Sequence, residues 1–386
     1  MRLSDCYNIE DLRLMARARL PKGVFDYMDL GTEDLIALRN NRRRLDEIKL
    51  LNKVLVDVSA IETLRTLFHH KMALPLAIAP TGIAGVAWYE GELELAKAAA
   101  HAGVPFTLAT GSNTPMEKIA QEAGGTLWYQ LYLWRNKQLS YDLIKRVYHA
   151  GFKTLIWTVD IGLGANREHN KRNGFNLPYR LNTKSVIDML SHPAWMTNVM
   201  GRYLLTSGMP RHANYPPQFQ DKITGHATSD KALRADQVSY DDIDRLRDIW
   251  PGKLLIKGIM RADDAQKCVE RGADGIIVSN HGGRNMDSAP STLDVLPSIV
   301  SAVGDRTNVI VDSGVRRGSD IVKCLALGAK MVLTGRATLY GVSAGGFDGA
   351  CKALGFLDDE LRRTMSYIGA RTIDEIDQDC LWSSHQ

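Results

Sequence analysis

Residues 275–287 read GIIVSNHGGRNMD. A run suited to a buried strand leads straight into Ser279, Asn280 and His281, and Arg284 follows two glycines. An imidazole accepts a proton near neutral pH, whereas a guanidinium stays charged and suits a fixed carboxylate. A base and a fixed cation three residues apart could therefore address two ends of one small acid. HGGR alone is a weak motif, and a single histidine at a strand end is more often structural. Two other strand-like runs strengthen it: TLIWTVD ends in Asp160, and LLIKGI carries Lys257. Asp160 could orient the imidazole and stabilise its charged form. Lys257 would set a positive charge beside whatever becomes anionic during reaction. DSGVRRGSD and TGRAT place glycines and arginines after two further runs. Backbone N–H groups, a helix N-terminus and arginine side chains are there expected to receive a phosphate; the bland alternative is glycines that only make tight turns.

The elements that must position these groups repeat along the chain. Short apolar, β-favouring runs start at residues 75, 104, 127, 154, 254, 275, 309 and 331, with helix-period segments such as GELELAKAAAHAG between most of them. Most starts follow the previous one by roughly 20–35 residues, with one gap of 100. Runs apolar on both faces indicate parallel strands covered by helices, and eight strand–helix units predict an α/β protein, a (β/α)8 TIM barrel. An open doubly wound sheet is the rival, but no G-x-G-x-x-G turn follows the first strand. The expected organisation is one domain over 1–386. It comprises a helical N-terminal cap (1–74), a barrel (75–160 and 254–360) and a long insertion at the barrel mouth (161–253). Barrel active sites use the C-terminal strand ends. Here those ends offer Pro80, Thr81 and Gly82, then Gln130 and Tyr132, Thr158 and Asp160, and Lys257. Ser279, His281 and Arg284 follow, then Asp312, Ser313, Gly314, Val315 and Arg316, and last Gly335 and Arg336.

Composition excludes other classes. With 48 basic and 44 acidic residues the net charge of +4 does not suggest a nucleic-acid binder. Five cysteines lie scattered without a C-x-x-C pair, so reduced thiols are expected, with neither a disulfide framework nor a metal site. No 18 apolar residues run uninterrupted and the N-terminus lacks a signal-peptide pattern. A cytoplasmic protein is expected.

Together LPKGVFDYMDLGTED, LAIAPTG, WYQLYL, WTVD, LIKGI, SNHGGR, DSGVRRGSDIVKCLALGA and LTGRA resemble the FMN-dependent L-2-hydroxy acid oxidases and dehydrogenases over nearly the whole chain. Within that family, HPAW, SGMPRHANY and LRDIWPGKLLIKG are most similar to the membrane-associated mandelate dehydrogenase branch, then to lactate dehydrogenases. The resemblance implies FMN across the barrel mouth. Pro80, Thr81 and Gly82 would contact it through backbone groups, and Gln130, Tyr132 and Thr158 would bind its ring edge. Lys257 would face N1/O2. Asp312 through Arg316 would hold the ribityl chain and phosphate, with Gly335 and Arg336, and Ser279 is counted in the same set. Tyr27 and Arg284, aided by Arg167, would clamp the substrate carboxylate. Tyr132 would hydrogen-bond the substrate oxygen, and His281, paired with Asp160, would take a proton. Where the family has a serine in strand 2 this chain has Ala109, and Thr110 or backbone groups are expected to compensate.

The implied reaction turns an L-2-hydroxy acid such as mandelate or lactate into the 2-oxo acid. Electrons leave either as hydride after O–H deprotonation or through a carbanion after C–H abstraction. A membrane quinone or O2 is the expected acceptor, and a homo-oligomer, a tetramer, the expected assembly. Trp195, Met196, Met200, Leu204 and Leu205, with Lys184, Arg202, Arg211 and His212, suit an interfacial segment. Peripheral contact with the inner face of the cell membrane through 176–215 is therefore expected; the bland alternative is a lid helix packed on the barrel. Two rival functions stay open: a phosphate-binding barrel aldolase or isomerase using Lys257 as a Schiff base, and a non-catalytic barrel indifferent to His281→Ala.

Overall fold

The computed structural model describes residues 2–162, 164–175, 182–220, 235 and 237–382. Eight parallel strands close into a barrel: β3 (Leu76–Ile78), β4 (Phe106–Ala109), β5 (Leu127–Leu131), β6 (Thr154–Thr158), β7 (Lys253–Ile259), β8 (Gly275–Val278), β9 (Asn308–Val311) and β10 (Met331–Thr334). Each lies within or within one residue of a run read from sequence, because strands buried on both faces have no polar face to interrupt the signal. One face of each strand packs against the outer helices. The other fills the lumen with Ala77, Trp128, Ile156, Leu255, Ile277, Ile310, Met331 and Leu333. The barrel is therefore a packed core rather than a pore, and its chemistry is confined to the strand ends.

The N-terminal segment is only partly helical. Helices α1 (Ile9–Arg19) and α2 (Lys22–Asp29) break at Pro21 as the sequence predicts, and α3 (Ile36–Glu47) follows. Residues 48–74 hold no helix. They carry an antiparallel hairpin, β1 (Arg65–Leu67) and β2 (His70–Met72), whose Leu67, Phe68 and Met72 join the lumen cluster, with Phe68 edge-on to Trp128 at 6.0 Å. The hairpin thus adds apolar side chains to the lumen, and α2 meets the catalytic face.

Between β6 and β7 the chain leaves the barrel. Helices Glu168–Asn173 and Thr183–Leu190 come first, then a helical run from Pro193 to Thr206 whose middle, Met196–Gly201, is wound in π turns. The helix Asp241–Ile249 then leads into β7. Of the expected interfacial set, Trp195 points inward: it is buried, and its indole Nε1 donates to Val86 O at 2.8 Å. Among the described residues of the excursion, Ile187, Leu190, Leu204 and Leu205 are the most exposed large apolar side chains. Among the described residues no helix is long and apolar enough to cross a membrane. Residues 176–181 of the expected membrane segment lie outside the described residues.

Candidate active site

The turn after β8 resolves the odd strand ending. His281, Gly282 and Gly283 all adopt left-handed backbone conformations, with φ of 58°, 67° and 69°. For a non-glycine residue this costs on the order of 1–2 kcal/mol and marks a site where surroundings impose the geometry. Gly283 is obligatory, since a Cβ there would stand 2.5 Å from Leu38 N in α3. The turn is pinned from below as well. Ser279 Oγ accepts the His281 N–H at 3.0 Å, Ser313 Oγ accepts that of Gly282 at 3.0 Å, and Asn280 exchanges amide hydrogen bonds with Asn41 at 2.8 and 2.9 Å.

The imidazole is thereby aimed at β6. His281 Nδ1–H donates to Asp160 Oδ1 at 2.9 Å, leaving Nε2 as the proton-accepting nitrogen. Burial lowers the His281 pKa from its ordinary value of 6.5; Asp160 opposes this and Lys257 reinforces it. Burial pushes the Asp160 carboxyl up, but His281 and Lys257 outweigh it and hold it below its ordinary range. The pair rests as neutral imidazole and carboxylate, the states a base and its orienting partner require. Asp160 owes its position to a bulge in β7. The register shifts between Lys257 and Ile259, Gly258 there has φ of 105°, and a Cβ on it would lie 2.5 Å from Asp160 Cβ. Asn285, whose Nδ2 donates to Asp160 O at 2.8 Å, is a positioning residue the sequence did not single out.

Lys257 is buried. Its Nζ lies 3.3 Å from Asp312 Oδ2 and donates to Ser279 Oγ at 2.8 Å. Burial would lower its pKa, but Asp312, Asp160 and Tyr132 together raise it. Lys257 is therefore a fixed ammonium, and a Schiff-base role, which needs a depressed amine pKa, does not fit.

The cations form a second group. Arg284 Nη1 donates to the carbonyls of Tyr27 (2.8 Å) and Leu30 (2.8 Å), and Arg336 donates to Met28 (3.1 Å), Leu30 (3.1 Å) and Gly282 (2.9 Å). The two arginines thus take up carbonyls that the end of α2 leaves without helical partners, at the pole that attracts positive charge. Three of the five Arg336 N–H donors are spent, so two remain for a ligand. Burial, Arg167 and Arg336 drive the Arg284 pKa well below its ordinary value, and burial brings Arg336 down to about 10. Arg284 and Arg167 flank the Tyr27 ring at 5.2 and 5.8 Å. Such a knot of cations is an anion site.

These groups share a cavity of about 430 Å³, within the range of ligand pockets. Tyr27, Pro80, Thr81, Gly82, Ala109, Gln130, Tyr132, Thr158, Arg167, Lys257, His281 and Arg284 line it. Asp312, Ser313, Gly314, Val315, Arg316, Gly335 and Arg336 line it too. Three sequence expectations are corrected. Ser279 is fully buried beneath the cavity and acts through Lys257 and His281. Thr110 is also off the wall: its hydroxyl donates to Gln130 O at 2.5 Å, so it does not stand in for the serine absent at Ala109. The helix after β9 does not present an open N-terminus, because Asp320 Oδ2 takes the N–H groups of Arg316 and Arg317 at 2.9 Å and Glu360 takes that of Gly318 at 2.9 Å. The helical segment Arg336–Ile368, kinked at Gly345 and Gly346, begins on the lining residue Arg336, and its first turn carries N–H groups without earlier carbonyls in the helix to take them. Two polar atoms on strand ends, Gln130 Nε2 and Thr158 Oγ1, are buried without a hydrogen-bond partner among the described residues. The wall further includes Gly111, Asn170, Lys171, His212 and Tyr215, none of them expected as a ligand-contacting residue from sequence.

Comparison with known proteins places this geometry. Residues 16–383 match the family of FMN-dependent dehydrogenases. The chain is 39% identical over 377 residues to the (S)-mandelate dehydrogenase of Pseudomonas putida, covering 98% of this chain and 94% of that protein. It is 36% identical over 373 residues to the L-lactate dehydrogenase of Acinetobacter baumannii, covering 96% of each. Among solved structures, a monotopic membrane protein (S)-mandelate dehydrogenase superposes with a TM-score of 0.91 at 38% identity, covering 98% of this chain and 99% of that one. A mandelate oxidase variant with (S)-mandelic acid gives 0.82 at 31% identity, covering 98% of each.

Proposed function

The chain belongs to the FMN-dependent dehydrogenases, and from that membership we propose that it oxidises an L-2-hydroxy acid, of the mandelate or lactate type, to the 2-oxo acid. The observation that carries this reading is a neutral His281, held by the Asp160 carboxylate, opening on the same cavity as the Arg284–Arg167 cation group. A proton acceptor and an anion clamp are what a 2-hydroxy carboxylate requires.

The residues present fit the cofactor. Unpartnered Gln130 Nε2 and Thr158 Oγ1 offer hydrogen bonds to a flavin ring edge, with backbone contacts from Pro80, Thr81 and Gly82 and van der Waals contact from Ala109. Lys257 supplies the fixed positive charge for the N1/O2 side. The Asp312–Arg316 loop, Gly335 and Arg336 would hold the ribityl chain and phosphate. FMN, when bound, supplies the two-electron acceptor.

The chain's own residues do the rest. Arg284 offers its Nε and Nη2 edge to the substrate carboxylate, its Nη1 being engaged by α2; Tyr27 and Arg167 complete the clamp. Tyr132 lines the same wall and would bind the substrate oxygen. His281 Nε2 takes the proton, and Asp160 stabilises the resulting imidazolium through Nδ1. Hydride and carbanion routes differ in whether that proton comes from O–H or C–H, and both begin at Nε2.

The acceptor we infer is a membrane quinone. Support comes from Ile187, Leu190, Leu204 and Leu205, which leave apolar side chains in water on the segment that rims the site, and from the likeness to a monotopic membrane protein. On this reading the protein sits peripherally on the membrane. An oxidase passing electrons to O2 is the second reading, favoured by the likeness to a mandelate oxidase. We also infer a homo-oligomer, a tetramer by family resemblance; exposed Val54, Leu55, Tyr367 and Trp382 would supply apolar contact area, and light scattering measures the mass. The function is tested by adding (S)-mandelate or L-lactate anaerobically to the FMN-loaded protein. Bleaching of the flavin absorption band supports it, and an unchanged spectrum with every 2-hydroxy acid tried sinks it. Peroxide production against turnover with a quinone analogue then separates the two acceptors.

A further inference from the structure

One buried polar atom on the cavity wall has no part in the chemistry assigned above. Nδ1 of His212 has no hydrogen-bond partner among the described residues, although its ring lines the cavity. The ring is held in place from two sides. It stacks on Tyr215 with centroids 4.5 Å apart and planes 15° from parallel. Its chain neighbours are laced to the loop after β4: Asn113 Nδ2 donates to Arg211 O at 3.0 Å, Ala213 N to Ser112 O at 3.0 Å, and Met116 N to Asn214 Oδ1 at 2.9 Å. His212 is therefore fixed in position although it belongs to the excursion.

Gly111 lies opposite it. A Cβ built on Gly111 would meet His212 Nδ1 at 3.8 Å and Cε1 at 4.0 Å, so the space over this glycine is a shallow notch whose back wall is the imidazole edge. The Gly111 carbonyl accepts from Ile83 N at 3.2 Å and lies 3.5 Å from where a Cβ on Gly82 would stand. The notch thus adjoins the Thr81–Gly82 wall, on the opposite strand ends from the α2 carbonyls that hold Arg284. A buried hydrogen-bonding atom left unpaired costs stability unless a ligand or water completes it.

We propose that His212 is a specificity-determining residue. Its Nδ1 hydrogen-bonds a polar group on the C2 substituent of the substrate, selecting 2-hydroxy acids whose side chain ends in a hydrogen-bonding group over apolar ones of similar size. This rests on the 2-hydroxy acid reading above. It goes beyond that reading by assigning the end of the substrate remote from the carboxylate.

The test compares kcat/KM for L-lactate, (S)-mandelate and (S)-4-hydroxymandelate in the FMN-loaded full-length protein. His212→Phe keeps an aromatic ring against Tyr215 and removes the hydrogen bond. His212→Asn restores a polar atom near Nδ1, and Gly111→Ala narrows the notch from the other side. The wild type is expected to favour 4-hydroxymandelate over mandelate by about tenfold, the value of one good neutral hydrogen bond. His212→Phe should abolish that preference while lactate turnover stays within about twofold, and His212→Asn should recover part of it. Gly111→Ala should depress both aryl acids and spare lactate. The dissociation constants of the matching 2-oxo acids, read from flavin difference spectra, should move in parallel. Equal loss on all three acids in His212→Phe, or no change in the preference, overturns the assignment. A wild type that oxidises lactate and mandelate but shows no preference for the polar side chain overturns it too, while leaving the general function standing. A wild type that oxidises none of the three fails the general function instead, and the assignment with it.

Discussion

Two regions meet at the cavity and are built differently. On the strand ends, Lys257, Ser279, Asp312, Asp160 and His281 form one connected set with contacts of 2.8 to 3.3 Å. On the excursion between β6 and β7, Arg167 Nε, Asn170 Oδ1 and His212 Nδ1 are each buried without a hydrogen-bond partner among the described residues. The strand set is linked into one network before any ligand arrives, as catalytic preorganisation demands, with Asp160 Oδ2 left buried without a partner among the described residues. The excursion set is incomplete until something binds. Reaction chemistry on the rigid scaffold and selectivity on the long connection is the division this contrast teaches.

The sharpest way to break that division is at its catalytic centre. His281→Gln should retain bound flavin and lose roughly 10²–10⁴-fold in kcat, the usual contribution of a positioned base. Stopped-flow reduction of the flavin by substrate reads the loss directly. If the loss is small, the chemistry does not reside on the strand ends. Asp160→Asn comes next, with an expected fall of about 10²-fold in kcat from the lost support of the imidazolium. Its pH profile is the more telling measurement. Burial lowers the His281 pKa and Asp160 raises it, so the wild-type activity should fall as pH drops through a value below 6.5. Without the carboxylate the same limb should move to still lower pH. A limb that stays in place would separate Asp160 from the base. Gly258→Ala probes the scaffold beneath both: a Cβ 2.5 Å from Asp160 Cβ must displace the carboxylate. A loss of about tenfold in kcat is expected, with a lowered melting temperature, since strain and displaced packing typically cost 1–3 kcal/mol. Unchanged kcat would show that Asp160 tolerates movement.

The barrel and the strand-end residues were legible because their signals are local. A strand buried on both faces is a continuous apolar run, and a charge at its end stands out. What escaped depended on distant partners or on backbone conformation. Hairpin β1–β2 turns through Phe68 and His69, both at positive φ (51° and 67°), where no glycine or asparagine announces a turn. Arg336 reads from sequence as a phosphate ligand only; that α2, over 300 residues earlier in the chain, also takes two of its donors with the Met28 and Leu30 carbonyls is not legible there. Asp320 and Glu360 occupy N–H groups that the sequence alone leaves open for an anion. In the excursion, Trp195 joins the interfacial set by residue type alone, and only its hydrogen bond to Val86 O, 109 residues earlier in the chain, turns it inward.

The smallest expected effect on catalysis tests the excursion itself. Ile187→Ser, Leu204→Ser and Leu205→Ser combined remove three apolar side chains that lie 62% to 87% exposed, so little folding energy should go with them. If this segment faces a lipid surface, the triple variant should lose co-sedimentation with anionic phospholipid vesicles. Burial of such side chains drives interfacial binding, at roughly 1.5–3 kcal/mol each. Turnover with a soluble acceptor should remain within about twofold of wild type, because none of the three residues lines the cavity. The two readouts must separate. A variant that keeps its vesicle binding would return the excursion to an ordinary lid. One that loses soluble-acceptor turnover together with vesicle binding would mean that the excursion holds the strand-end set in place. The division between scaffold chemistry and loop selectivity would then be false.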